Sequence, residues 1–241
     1  MHTSRNRILT THVGSLPRSK AVTDGVFAHE NEQPFDPEAL AQTLTAAVDE
    51  VVARQVKAGV DVVSDGEMSK ISYATYIKDR ITGFEGDSER NAPTDLQEFP
   101  GFLQRQASSG GTPSYRRPCC VGEIKVKSSA PLAEDLANFR AAVDAHKPAE
   151  GFMNAASPGV IALFQPNHHY AGHEAYLAAL GEAMRHEYEA IVEAGFILQL
   201  DSPDLGLGRH MLFKDRPEKE YLALANLHVD VLNEALRNVP A

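Results

Sequence analysis

The sequence predicts an α/β protein built as an incomplete (β/α)8 barrel (TIM barrel), with about five of the eight strand–helix units. Three observations predict this fold class. Short runs rich in β-branched residues alternate with amphipathic helices along the chain. Polar residues stand where the strands end, and barrels place their chemistry at the carboxyl ends of their strands. No glycine-rich phosphate-binding motif follows any strand, which disfavours the other architecture considered, an open doubly wound sheet that binds nucleotides.

The five units are placed by apolar periodicity and by residues that begin or end helices. Pro37 suits the first turn of a helix. Gly59 and Gly195 stand just after a predicted helix, where a glycine with a left-handed backbone commonly ends the helix. Within the helices, apolar side chains recur at steps of three and four residues. Strands are expected over residues 8–11, 60–63, 119–126, 152–155 and 196–200, and helices over residues 37–58, 72–82, 132–143, 174–194 and 218–238.

One segment interrupts the alternation of strands and helices. Residues 85–116 are rich in glycine, proline, serine and charged residues, which predicts a long loop excursion or lid rather than part of the core. Residues 1–241 as a whole are expected to form a single partial barrel domain, because a chain of this length can bury one large core.

Charge and composition argue against several classes of partner. Lysine and arginine number 23 against 33 aspartate and glutamate residues, and the formal charge of −10 disfavours nucleic-acid binding. No apolar run approaches the roughly 18 to 20 residues of a membrane helix, and the first residues lack the apolar region of a signal peptide. The two cysteines, Cys119 and Cys120, are adjacent and cannot cross-link distant parts of the chain by a disulfide. We therefore expect a cytoplasmic protein without a membrane partner.

Four polar residues near strand ends are the leading candidates for a substrate-binding site. Glu67 follows the second strand, where a carboxylate can orient an amine or act as an acid or base; the alternative is a solvated turn. Asp201 precedes a Ser-Pro pair that favours extended geometry, and its alternative role is a helix cap. His12 and Ser15 lie in a loop where Gly14 permits close approach of a ligand, or merely a tight turn.

Histidines form the densest set of possible metal ligands. His168, His169 and His173 all fall in one polar loop before a helix, so a solvated loop or a substrate contact is preferred to a metal site. No metal ligand is assigned on this basis. A metal-dependent hydrolase that uses His168, His169 and Asp201 is a minor alternative.

Three strings at strand ends carry a resemblance to a known family. They are TTHVGSLPR over residues 10–18, GVDVVSDGE over 59–67 and AGFILQLDSP over 194–203. In this order they resemble cobalamin-independent methionine synthase. More closely, the chain is similar to the short, single-domain relatives of that enzyme's C-terminal barrel, which include epoxyalkane:coenzyme M transferases. The resemblance covers essentially the whole chain.

The resemblance implies a (β/α)8 barrel that transfers a methyl or alkyl group to a small thiol. In that family zinc binds the thiol and lowers its pKa, and a methyltetrahydrofolate-type molecule is a possible donor. Matched position by position, Ser15 and its loop, Glu67 and Asp201 would hold the amino-acid part of homocysteine. Ser157 and Gly159 match a segment on the donor side.

The sequence departs from the family at the zinc ligands. The family's His-x-Cys motif and its further cysteine match nothing here, because the chain stops before the corresponding strands. We therefore expect this chain to carry the N-terminal part of a thiol alkyl- or methyltransferase barrel and to bind no zinc alone. The alternative is a non-catalytic half-barrel that binds a ligand or forms oligomers. Open strand edges predict self-association.

Overall fold

A computed structural model describes residues 2–89, 94–108 and 115–240. The strands are β1 (Val62–Val63), β2 (Phe84–Glu85), β3 (Cys119–Cys120), β4 (Glu150–Ala156) and β5 (Ile197–Asp201). The helices are α1 (Lys20–Glu30), α2 (Pro37–Lys57), α3 (Thr94–Gln97), α4 (Pro100–Ser108), α5 (Ala130–His146), α6 (Pro158–Phe164), α7 (His173–Glu193), α8 (Asp204–Leu207) and α9 (Glu218–Ala235), with a 3₁₀ helix at Thr75–Asp79.

The central sheet is parallel, with the strand order β1-β4-β5. Val62 pairs with Glu150, and β4 pairs with β5 along five residues, ending with Ala156 opposite Asp201. The carboxyl ends of all three strands therefore meet at one edge, which is where parallel sheets place their sites. The predicted mixed α/β class is confirmed.

The predicted strand over residues 8–11 is not a regular strand. The segment lies beside β1, and the Thr10 carbonyl accepts hydrogen bonds from the backbone N–H groups of both Asp61 and Val62, each at 3.1 Å. Because one carbonyl takes two successive donors, the even spacing of a parallel ladder is lost at this point.

The predicted parallel strand over residues 119–126 is wrong. β3 spans only two residues and pairs antiparallel with β2, in a second small sheet where Cys120 lies opposite Phe84. After β3, the N–H groups of Val121 and Gly122 both donate to the Gly83 carbonyl, so the chain turns against the loop before β2. The ribbon is thus separate from the parallel sheet, which has three strands in the described residues rather than the expected five.

The predicted helix over residues 72–82 is also wrong, since only a 3₁₀ helix forms there. The Ser72 hydroxyl accepts the backbone N–H groups of Ala74 and Thr75 as a helix cap does, but the segment ends early because Ile81 bridges Val126 and the Thr82 N–H donates to the Lys125 carbonyl at 2.8 Å. The other four predicted helices correspond to α2, α5, α7 and α9, within three residues at every end.

The segment over residues 85–116 has some regular structure. It contains α3 and α4 and is fastened to the chain after α8 by the Thr94 hydroxyl, which donates to the His210 carbonyl at 2.9 Å. Phe99 and Phe102 are largely exposed. The prediction for residues 90–93 and 109–114 lies outside the described residues.

The core lies between the parallel sheet and two groups of helices. α2 packs against α5, while α7 packs against α6 and α9. Two features fix β4 in this core. Gly151 packs so closely on Phe139 that a β-carbon at position 151 would lie 2.9 Å from the ring, and the Tyr188 hydroxyl donates to the Ala156 carbonyl at 2.7 Å. In the described part of the chain, no helix is long and apolar enough to cross a membrane.

Candidate functional site

Polar side chains from three segments converge on Asn154 of β4. The Asn154 amide nitrogen Nδ2 donates to Glu67 Oε1 at 2.7 Å and to Asp201 Oδ2 at 2.9 Å. The Ser15 hydroxyl donates to the other Glu67 oxygen, Oε2, at 2.6 Å. Ser15, Glu67 and Asp201 thus belong to one hydrogen-bonded cluster at the carboxyl edge of the sheet.

The four residues of the cluster differ in their exposure to solvent. Glu67 is 3% exposed and Asn154 1%, whereas Asp201 is half-buried and Ser15 is exposed. The carboxylates keep spare acceptor capacity, because each oxygen carries two lone pairs and accepts only one of the bonds described. Asp201 is therefore open to a polar ligand, whereas contact with Glu67 requires the loop at Gly14 and Ser15 to move aside.

A tight turn after β1 aims the Glu67 side chain. The Ser64 hydroxyl accepts the Gly66 N–H at 3.1 Å, and Asp65 Oδ1 accepts the Glu67 N–H at 3.0 Å. Gly66 and Glu67 both have left-handed backbones, with φ of 66° and 58°. A left-handed backbone is uncommon for a non-glycine residue and often marks a functional position.

Arg18 fastens the turn from outside. Its guanidinium donates to the Glu67 carbonyl at 2.6 Å and also to the Lys70 carbonyl. Burial lowers the pKa of Arg18, while the charges of Glu67 and Asp65 act in the opposite direction.

Lys70 lies behind Asn154 and is 2% exposed. Its ammonium donates to the Asn154 backbone carbonyl at 2.6 Å and to the side-chain Oδ1 at 3.2 Å, and it lies 4.6 Å from the centre of the Tyr76 ring. The Tyr76 hydroxyl donates to Glu187 and accepts the Ala156 N–H at 3.3 Å. Burial, followed by the Glu187 charge, raises the pKa of Tyr76 well above its usual value, so the phenol stays protonated.

Arg80 supplies a second buried cation below the site. It pairs with Glu187 at 2.8 Å and with Asp135, and its guanidinium also contacts the Tyr76 ring. Burial acts to raise the pKa of Glu187, but the charges of Arg80 and Lys70 and the hydrogen bonds from Tyr76 and Arg80 together lower it, whereas burial prevails at Asp135 and raises its pKa.

His12 does not contact either carboxylate of the cluster by a hydrogen bond. Its Nε2 lies 2.8 Å from Gln55 Oε1 and 3.1 Å from Ser64 Oγ. Gln55 in turn accepts the Ser64 N–H at 3.0 Å. The structure thus places His12 against the turn that carries Glu67.

Ser157 and Gly159 lie next to a second buried cluster. The Ser157 hydroxyl accepts the Val160 N–H as the cap of α6 and donates to Asp204 Oδ1 at 2.9 Å. Asp204 Oδ2 lies 2.8 Å from His228 Nδ1, and a β-carbon on Gly159 would overlap both Asp204 and His228. The backbone at Gly159 is therefore packed against Asp204 and His228.

His173 completes this second cluster. Its Nε2 lies 2.8 Å from His228 Nε2, so one ring must donate and the other accept. Burial lowers the pKa of His173 to about 4, and the neighbouring His228 acts in the same direction. The neutral form of His173 therefore prevails at neutral pH.

The side chains described do not form a zinc site. Across residues 2–89, 94–108 and 115–240, no group of three or more histidine, cysteine, aspartate or glutamate residues could hold a metal ion. The ring of His173 contacts His228, whereas that of His169 packs edge-on against Tyr170. Burial raises the pKa of both Cys119 and Cys120, which disfavours the thiolate that zinc binds.

Asn154 and Lys70 were not identified from the sequence. Asn154 could have been identified as a candidate site residue, because it is a polar residue inside an apolar strand, two residues before the strand ends. A buried amide in such a position needs polar partners. Lys70 gave no signal, because a lysine just after a turn is typical of an exposed surface.

Comparisons with known proteins agree on one family. Residues 8–235 match the family model described as "Cobalamin-independent synthase, Catalytic domain". The methionine synthase of Saccharolobus solfataricus is 28% identical over 233 residues, which are 96% of this chain and 60% of the relative. That of Sulfolobus acidocaldarius is 25% identical over 95% of this chain and 58% of the relative. The chain thus spans about three-fifths of the length of these relatives.

Two structures show the same fold. A B12-independent methionine synthase from Shewanella sp. W3-18-1, in complex with selenomethionine, has a TM-score of 0.69 and 19% identity, and the match covers 96% of this chain and 59% of that one. A putative vitamin-B12 independent methionine synthase from Listeria monocytogenes has a TM-score of 0.67 and 20% identity, with 98% and 64% covered.

Proposed function

The chain belongs to the cobalamin-independent methionine synthase family through its catalytic domain, and we propose that its carboxylate cluster binds the amino-acid part of a small thiol such as homocysteine. The reaction proposed for the site is S-methylation or S-alkylation. In such a reaction the thiol sulfur bonds to the alkyl carbon, the bond from that carbon to the donor breaks, and the thiol proton passes to the leaving group.

The observation that supports this proposal is the single amide nitrogen that bridges Glu67 and Asp201. It keeps two carboxylate oxygens close together in a partly desolvated setting, where an ammonium group can donate a hydrogen bond to each. Charge-assisted hydrogen bonds of this kind are stronger than neutral ones. Ser15 stands at the exposed side of the pair, where its hydroxyl can turn from Glu67 and donate to the ligand's carboxylate.

One of the similar structures is a methionine synthase in complex with selenomethionine, an amino acid with the same ammonium and carboxylate groups as the proposed ligand. By resemblance to the family we assign Ser157 and Gly159 to the donor side of the site, for which a methyltetrahydrofolate-type molecule is one candidate; both are buried and would support that side from behind. Zinc belongs to the family, but the described side chains do not fit it.

Calorimetric titration tests the proposed ligand class. The wild-type chain should bind L-homocysteine more tightly than 4-mercaptobutyrate, which has the same thiol and carboxylate but lacks the amine. Glu67→Gln and Asp201→Asn should each weaken homocysteine binding about tenfold, because each removes one charge from the ammonium contact. Glu85→Gln, at an exposed residue of β2, is the control. Equal affinities for the two thiols in the wild-type chain would contradict the proposal.

A second candidate function, an oligomerising or ligand-binding half-barrel without catalysis, is favoured by one observation. β5 is paired on one side only within the described residues, and all five of its residues are half-buried. Such an edge offers unpaired backbone groups to another chain.

A further inference from the structure

Lys70 is a buried cation that makes no direct ion pair with a carboxylate of the described residues. It is 2% exposed, and among the side chains that the structure describes no carboxylate oxygen lies within 4.0 Å of its ammonium nitrogen. The two hydrogen bonds of the ammonium both go to Asn154, one to the backbone carbonyl and one to the side-chain oxygen. A contact with the Tyr76 ring completes its surroundings.

This arrangement is costly for the fold. Buried ammonium groups are normally paired with a carboxylate, because removal from water penalises the charge heavily. Arg80, the neighbouring buried cation, follows that rule through Glu187 and Asp135. Lys70 interacts with the charges of Glu187 and Asp135 only beyond ion-pair distance, and both of its hydrogen bonds go to Asn154, which is therefore its direct partner.

The ammonium determines which way the Asn154 amide faces. An ammonium group only donates, so it can contact the amide oxygen but not the amide nitrogen. With Oδ1 directed to Lys70, the Nδ2 group must point to Glu67 and Asp201, where both of its hydrogens are used. The chain of bonds also polarises the amide, because a cation at the oxygen makes the N–H groups better donors.

We propose that Lys70 is a positioning residue that acts through Asn154 to hold the Glu67 and Asp201 carboxylates as a pair selective for an ammonium-bearing thiol. The identity of the ligand rests on the proposed function, whereas the orientation of Asn154 does not. Two measurements separate these two parts.

The first measurement is side-chain amide hydrogen exchange by NMR, which needs no ligand. The Asn154 signals are assigned by their loss in Asn154→Leu. In the wild-type chain both hydrogens should exchange slowly, and Lys70→Met should raise their exchange rate at least tenfold. Lys70→Arg, which keeps the cation, should restore protection. Lys78→Met is the matched control, since Lys78 is a mostly buried lysine that pairs with Glu30 at 2.6 Å instead. An unchanged rate in Lys70→Met would overturn the proposal.

The second measurement is the ratio of affinities for L-homocysteine and 4-mercaptobutyrate. Lys70→Met should reduce homocysteine binding about tenfold and leave 4-mercaptobutyrate binding unchanged, so that the ratio falls. A merely structural role of Lys70 would weaken both ligands alike and would overturn the proposed selectivity. If the wild-type chain does not discriminate, the proposed function fails, while the exchange data still decide the orientation of Asn154. If circular dichroism shows that Lys70→Met is unfolded, Lys70→Leu takes its place in both measurements.

Discussion

Gly14 and Glu67 approach each other so closely that a β-carbon on Gly14 would overlap the Oε1 atom of Glu67. Both residues have left-handed backbones, with φ of 80° and 58°. The loop before Ser15 therefore fits over the Glu67 carboxylate only because position 14 has no side chain.

Gly14→Ala should abolish the carboxylate site. We expect homocysteine binding to weaken at least tenfold by calorimetry, because the new methyl group must displace Glu67, and the backbone strain should cost about 1 kcal/mol of unfolding free energy. Gly59→Ala is the matched control, since Gly59 has a φ of 82° but nothing within 4 Å of its β-carbon position. It should show a similar loss of stability with unchanged binding; equal binding losses in both variants would contradict the explanation.

The His173–His228 pair should make stability depend on pH. The pKa of His173 is about 4 in the folded chain against 6.5 for an ordinary histidine, so the unfolded chain takes up the proton first. The stability that neutral His173 contributes to the fold is complete above pH 6.5 and is lost as the pH falls towards 4. This difference in pKa corresponds to about 3 kcal/mol of unfolding free energy, which the partial exposure of His173 reduces to about 2 kcal/mol. Urea unfolding of wild-type and His173→Gln chains at pH 7 and pH 4.5 should reveal the difference.

His146→Gln serves as the histidine control for that experiment, because His146 pairs with Asp49 on the surface rather than with another histidine. Its pH dependence should parallel that of the wild-type chain. A wild-type profile identical to that of His173→Gln would show that the pair does not act in this way.

Arg80→Met should destabilise the fold strongly. The substitution leaves Glu187 and Asp135 buried without their cation, and breaking such a pair costs about 3–5 kcal/mol of unfolding free energy. Arg216→Met, which breaks an exposed pair with Glu220, should change stability little. Denaturant titration of both variants provides the comparison, and a near-neutral Arg80→Met would refute the importance of this network.

The purified chain should bind no stoichiometric zinc. The described residues provide no ligand group, and the two cysteines are buried with raised pKa values. Elemental analysis after dialysis against trace zinc measures this directly. One tightly held zinc per chain would contradict the prediction, and the double variants Cys119→Ser/Cys120→Ser and His168→Ala/His169→Ala would then locate the ligands.

We propose that the chain self-associates through the open edge of β5. Light scattering over a range of concentrations should show dimers or larger species. Leu222 and Val229, exposed apolar residues of α9, offer a competing surface. Leu222→Ser/Val229→Ser should leave association unchanged if the strand edge mediates it. A stable monomer with a cooperative melt at all concentrations would count against any such interface.

Local sequence patterns determined most of the helical framework. The bounds of α2 and α7 follow from apolar residues at steps of three and four and from Gly59 and Gly195, since side-chain periodicity and helix ends are local properties. The candidates Glu67 and Asp201 could also be found, because a polar residue that ends an apolar strand is visible in the sequence.

Only the tertiary structure decided the pairing of strands. Cys119 and Cys120 look like part of another buried parallel strand, yet they pair antiparallel with Phe84 and Glu85 because Gly83 admits the backbone of the following turn. Which strand lies beside which depends on contacts between residues far apart in the chain, and no local pattern records them.

The tertiary structure likewise decided the chemistry of the cluster. The sequence separates Lys70 from Asn154 by 84 positions and Asn154 from Asp201 by 47. Whether a lysine is a solvated surface group or a buried donor to one amide depends on the surroundings that the fold provides. Composition and spacing therefore identified the carboxylates, whereas folding alone brought them to a common amide and placed a cation behind it.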